Sequence, residues 1–209
     1  MTTIMRTALF YDTETTGLPL FKEPSEDPRQ PRIFQLAADL VDLDTRRTVA
    51  SMSQLIKPAG WVIPPDVEAL TGVSTERAAM FGLDATVVLD MFFSMWSMAT
   101  HGRIAHNEAF DARLVRIASM RHRDAAFADH WKAGAAFCTC TASTAIVNLP
   151  PSEKMKAAGR NNPKQPKLSE AYEFFTGQPL QNAHDAGADV AACRVIYFAL
   201  QDRQQQAAA

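Results

Sequence analysis

Residues 7–17 read TALFYDTETTG. The apolar run from Thr7 that closes on Asp12 has the form of a buried central strand whose last residues face a site. Asp12 and Glu14 lie two apart, and a β conformation turns both carboxylates to one face. Such a pair suits a hard cation, because magnesium takes oxygen ligands in an octahedral shell and keeps several waters. The spacing is not selective by itself. Asp42/Asp44 and Asp66/Glu68 share it, and they read as a turn and a helix start with no chemistry attached.

Outward from this strand, a proline-rich, charged connection (19–31) leads to two more strand-like runs, 33–43 and 48–57, around a turn at 44–47. Helix starts follow at Pro64-Pro65-Asp66 and at Ser74. Residues 85–99 and 109–121 have helical patterns, with a short strand at 103–106 between them. Residues 136–141 read as the last strand, and 168–175 and 185–201 as closing helices. The segment 151–167 carries Lys154, Lys156, Arg160, Lys164 and Lys167 beside Gly159, Pro163 and Pro166, and is expected to be a mobile basic loop. Residues 1–5 and 203–209 are expected to fray. There is no internal repeat, and 1–209 reads as a single domain.

The chain has 209 residues, 47% hydrophobic, and a formal net charge of -2, which excludes a protein that coats duplex DNA by general phosphate neutralisation. Any nucleic-acid contact is local. Three cysteines, Cys138, Cys140 and Cys193, fit neither a disulfide framework nor a zinc pattern and read as reduced, mostly buried thiols. The first residues lack a secretory h-region, and the most apolar stretch, 87–99, is shorter than the roughly 20 residues needed to cross a bilayer. The expectation is a cytoplasmic protein without membrane contact.

Three motifs end on acids. DTE closes the first strand, HNEAFD (106–111) follows another, and NAHDAGAD (182–189) opens the last helix. Acids at the ends of apolar elements are costly to desolvate unless a metal or hydrogen bonds compensate them, so their convergence favours a metal site. On these residues the chain resembles the DEDD exonuclease superfamily. The likeness is to its histidine-bearing branch, which includes the epsilon proofreading subunit of bacterial DNA polymerase III. The match covers D-x-E at Asp12 and Glu14, H-N-x-x-F-D from His106 to Asp111, and H-x-x-x-x-D at His184 and Asp189.

The resemblance implies an α/β, ribonuclease H-like fold: a five-stranded mixed sheet flanked by helices. It implies that Asp12, Glu14, Asp111 and Asp189 hold two divalent cations, Mg2+ or Mn2+. It gives His184 the role of general base, a task suited to a group whose ordinary pKa is near 6.5. Thr15, Thr16 and Leu18 match a stretch that meets the terminal 3′-OH and wedges against the last base, although Leu18 also reads as a core residue of a Gly-Leu-Pro turn. His106, Asn107 and Phe110 are expected on the substrate side, the first two by positioning the turn. The five basic residues of 151–167 are candidate phosphate contacts. Relatives often carry a histidine where this chain has Thr71.

The activity so implied is metal-dependent 3′-to-5′ release of 5′-mononucleotides from single-stranded or frayed ends, in proofreading or end trimming. DNA is favoured over RNA, and a DNA polymerase is a candidate partner. The rivals are an exoribonuclease and a non-hydrolysing, polymerase-associated binding module.

Overall fold

A computed structural model describes residues 5–208. The elements run β1 (Thr7–Thr15), β2 (Ile33–Asp42), β3 (Thr48–Leu55), α1 (Pro65–Thr71), α2 (Thr75–Phe81), α3 (Ala85–Ser97), β4 (Arg103–Ala105), α4 (Glu108–His122), α5 (Ala125–Ala133), β5 (Ala136–Cys138), α6 (Thr139–Val147), α7 (Glu153–Ala157), α8 (Leu168–Thr176) and α9 (Ala186–Ala208). The five strands form one mixed sheet in the order β3-β2-β1-β4-β5. The first three are antiparallel neighbours, and β1, β4 and β5 run parallel. This is the expected α/β architecture.

Strand β1 is central and alternates between two cores. Leu9 and Tyr11 pack with Leu36, Val88, Phe92, Leu114 and Trp131, on the side of α3, α4 and α5. Ala8 and Phe10 pack with Ala37, Ile104, Ala186, Val190 and Cys193, on the side of α9. Both faces of β2 are covered, so its sequence is an almost unbroken apolar run rather than an alternating one. Continuing the alternation, Asp12 and Glu14 fall on the α9 face, where the strand emerges from the core.

Several sequence expectations are corrected. The strand expected over 136–141 ends at Cys138, and 139–147 is helix α6, despite a composition of β-branched and hydroxyl residues, TCTASTAIV, that disfavours helix. Burial of Thr139, Cys140 and Ser143 overrides that propensity. Helix α5, whose Asp124 cap accepts from Phe127 N–H at 2.7 Å, lies in a stretch for which the sequence predicts no element. The segment 151–167 is not wholly irregular: Ser152 caps α7, accepting from Met155 N–H at 3.2 Å, and Leu149 bridges to Lys164. Residues 203–208 continue α9. Of the ends expected to fray, 1–4 and 209 lie outside the described residues.

A buried ion pair joins β4 to α4 and α5. Arg103 Nε donates to Glu108 Oε1 at 2.7 Å, and its Nη1 donates to the carbonyls of Trp131 and Gly134 at 2.6 and 3.1 Å. The guanidinium lies 4.1 Å from the Trp131 ring centroid, and Tyr11 Oη donates to the same Glu108 oxygen at 3.0 Å. Just before it, Gly102 holds φ +79°, and a Cβ there would lie 2.3 Å from the Ala135 carbonyl.

Removing one member of a buried pair strands the other's charge. Arg103→Met is therefore expected to cost about 3–5 kcal/mol of stability in urea unfolding. The double change Arg103→Met, Glu108→Leu should cost less than the single one. A single variant within about 1 kcal/mol of the parent would show the pair to be dispensable.

Candidate metal centre

The sheet and two helix entrances bring the three acidic motifs together. Asp12 and Glu14 share a face of β1, and the register with β2 shifts just after Glu14, a bulge of the kind that re-aims side chains beside active sites. Asp111 lies in the first turn of α4 and Asp189 in the first turn of α9, where a helix N-terminus favours negative charge. Helix α4 begins at Asn107, which adopts a left-handed conformation at φ +65°.

Asp111 is only 3% exposed, and its Oδ1 accepts from the Thr13 N–H at 3.1 Å and the Thr13 hydroxyl at 2.7 Å. Thr13, between the two acids of β1, thus fixes the third acid. No motif in the sequence singles it out, although a hydroxyl pointing away from a D-x-E face was the available signal. Asp189 Oδ2 accepts from the His184 backbone N–H at 3.2 Å, whereas its Oδ1 is buried with no hydrogen-bond partner. Ligand atoms of Glu14, His184 and Asp189 all lie within 4.8 Å of one another. The His184 ring is exposed and its backbone is left-handed, φ +69°.

Crowding shows in the proton affinities. Asp12 is pushed well above the usual carboxylate range by burial first, then by Asp111, Asp189 and Glu14. Burial, followed by the charges of Asp189 and Asp111, pushes Glu14 up to about 8. Asp111 rises to about 7 through burial, against the opposing Thr13 hydrogen bonds. Asp189 rises to about 6 through burial, partly offset by the His184 N–H and charge. Among the described residues no lysine or arginine forms an ion pair with any of the four. A cluster of four carboxylates with no lysine or arginine countercharge among the described residues, a histidine beside it and one buried oxygen left unpaired, fits a divalent cation.

The other candidates separate. Leu18 is 76% exposed, which overturns the core alternative. The Thr15 hydroxyl donates to Gly17 O at 2.9 Å and Thr16 Oγ1 accepts from Arg32 N–H at 2.9 Å. His106 engages both ring nitrogens within the protein, Nδ1 with Thr139 Oγ1 at 2.9 Å and Nε2 with the Pro166 carbonyl at 3.0 Å. These contacts tie the ring to α6 and to the segment before α8. Phe110 packs against the larger core. Lys156 and Lys164 pair with Glu153 and Glu170, while Lys154, Arg160 and Lys167 are exposed and make no ion pair among the described residues. Thr71, Gly72, Asn182 and His184 line a cleft of about 570 Å³.

No protein-family model and no curated protein matches the chain. Solved structures do. E. coli exonuclease I in complex with a dT13 oligonucleotide aligns with a TM-score of 0.74 at 21% identity, over 96% of this chain and 42% of that one. Another exonuclease I structure aligns at 0.73 and 21%, with the same coverage. The zinc-bound complex of the E. coli enzyme with single-stranded DNA aligns at 0.70 and 19%, over 96% and 41%. The likeness shows the fold, and this chain spans less than half the length of those proteins. None of its described helices is long and apolar enough to cross a membrane.

Unfolding returns the raised carboxyls to their ordinary range, so as pH rises the unfolded chain releases its protons first. From about 4.5 upward to about 8 for Glu14, the folded protein holds the extra proton, and stability falls through that window. In EDTA the melting temperature is expected to fall from about pH 5 to 8 by more in the parent than in Glu14→Gln, and Mn2+ or Mg2+ should raise it most at the alkaline end. A parental slope no steeper than that of Glu14→Gln would contradict the crowding.

Proposed function

We propose that the chain is a metal-dependent 3′-to-5′ exonuclease that releases 5′-mononucleotides from single-stranded or frayed DNA ends. The observation that carries the reading is the convergence of Asp12, Glu14, Asp111 and Asp189 with His184 on one uncompensated carboxylate cluster. The shared fold with an oligonucleotide-bound exonuclease adds support. Asp12, Glu14, Asp111 and Asp189 are the residues that would hold two divalent ions, Mg2+ or Mn2+. Such ions, when bound, supply positive charge at a scissile phosphate and stabilise the attacking and leaving oxygens.

The chain's own groups do the rest. His184, its backbone N–H held by Asp189, takes the proton from the attacking water at a ring nitrogen. The new P–O bond forms as the P–O3′ bond breaks, and the departing O3′ takes a proton from solvent, leaving a 3′-OH on the shortened strand and a 5′-phosphate on the nucleotide. Leu18, exposed just beyond the acids, is a wedge against the last base, a contact open to an unpaired end and indifferent to its sequence. Lys154, Arg160 and Lys167 are free to meet phosphates of the entering strand. Proofreading and end trimming are the uses such an activity serves. The intact acids disfavour a non-hydrolysing module, and matched DNA and RNA oligonucleotides separate the exoribonuclease alternative.

With a 5′-labelled single strand and Mg2+, the parent should give a ladder shortening from the 3′ end, which EDTA abolishes. Asp12→Asn and Asp189→Asn should be inactive yet folded by circular dichroism. His184→Ala should be slower by about 10²–10⁴-fold while remaining metal-dependent. Cleavage that survives EDTA, or internal cuts in a closed circle, would rule the reading out.

A second expectation follows from the wedge. A 3′ overhang should be degraded faster than a blunt duplex, and Leu18→Ala should slow the duplex more than the single strand, because only the duplex end must be frayed. Equal slowing on both substrates would remove Leu18 from that role.

A further inference from the structure

We propose that Gln35 is a positioning residue for His184 and Asp189, acting through Asp185. The proposal rests on the nuclease reading and concerns a side chain outside all three acidic motifs. Gln35 lies directly opposite Glu14 in the β1–β2 register, on the same sheet face, and is 6% exposed. Its Nε2 donates to Asp185 Oδ2 at 3.2 Å and to Ser53 Oγ at 3.3 Å. Its Oε1 is buried without a partner. A buried amide with one end unpaired costs about 1–3 kcal/mol, so a residue kept only for packing would be served better by leucine.

Asp185 carries the constraint onward. Its Oδ1 accepts from the Ala188 N–H at 3.0 Å and its carbonyl from the Asp189 N–H at 2.9 Å, so it caps the first turn of α9. His184 precedes it in a left-handed conformation, tied to Asp189 Oδ2. The Asp185 carboxylate therefore caps the acid's helix, and the Asp189 carboxylate ties the histidine's turn to that helix. Gln35 is the one side-chain donor to Asp185 among the described residues. Gly187 lets this turn approach the sheet: a Cβ there would lie 3.2 Å from Asp185 Oδ1 and 3.4 Å from Ser53 Oγ.

The test exchanges donor and acceptor. Gln35→Glu places an acceptor against Asp185, and Gln35→Leu removes the donor. Each should lower kcat by about 10- to 100-fold, the usual cost of losing a group that orients a metal-site residue. KM for a 5′-labelled single strand should be little changed, and the amides of Ala188 and Asp189 should exchange hydrogen faster relative to the globally protected amides of β1 and β2 in the same variant. In the double variant Gln35→Glu, Asp185→Asn, the amide nitrogen introduced on the helix side can donate to the carboxylate introduced on the strand. The amide oxygen still caps Ala188, so both kcat and exchange protection should recover. Parental kcat and exchange in the two single variants, or no recovery in the double, would overturn the proposal. Exchange reads the tether without any turnover, so a parent lacking nuclease activity would defeat the functional reading while leaving the tether decided by this arm.

Discussion

Four carboxylates gathered at one end of a central strand, with no lysine or arginine paired to them among the described residues, are the constraint around which the rest is arranged. Like charges in a half-buried place repel and lose hydration, so such a cluster forms only if the surrounding elements hold it. Three devices do so. Strand β1 is buried on both faces up to Tyr11 and cannot retreat. Two helices bring their favourable N-terminal ends to Asp111 and Asp189. Thr13 donates twice to Asp111, and the His184 backbone donates to Asp189.

The far side of the sheet supplies the stiffness. Arg103, Glu108 and Tyr11 lock the start of α4 to β4 and β1, while the aromatic cluster of Tyr11, Phe92, Phe93 and Trp131 fills the space beneath. Glu108 and Asp111 share one helical turn. The neutralised pair in the core therefore fixes the placement of the uncompensated acid at the site. Opposite, α9 is held along its length by Arg194 with Asp39, by Arg46 with Asp202, and by Phe10 against Tyr197.

Much of this was legible in the sequence, and for physical reasons. Strands β1 and β2 announce themselves by apolar runs, and the acids by ending apolar elements. Helix α6 was not legible, because its threonines, serine and cysteine favour other conformations and only tertiary burial makes it helical. Helix α7 is a five-residue turn within a proline-flanked basic segment, below the length at which periodicity registers. The distal contacts were hidden for a different reason. Gln35 meets Asp185 across 150 residues, and His106 meets Pro166 across 60, and no local pattern encodes such pairings.

The left-handed backbone of His184 sets the fold against the role proposed for its imidazole. A residue with a Cβ gives up about 1–2 kcal/mol in that conformation, and glycine would give up almost nothing. Selection for folding alone would install glycine at 184, and the segment would then be a better turn without an imidazole. The imidazole is thus a residue that the scaffold tolerates rather than asks for. On the proposed reading, relief from hydrolysis would remove what holds a histidine there, and glycine at 184 would stabilise the turn while the core around Trp131 stays as it is.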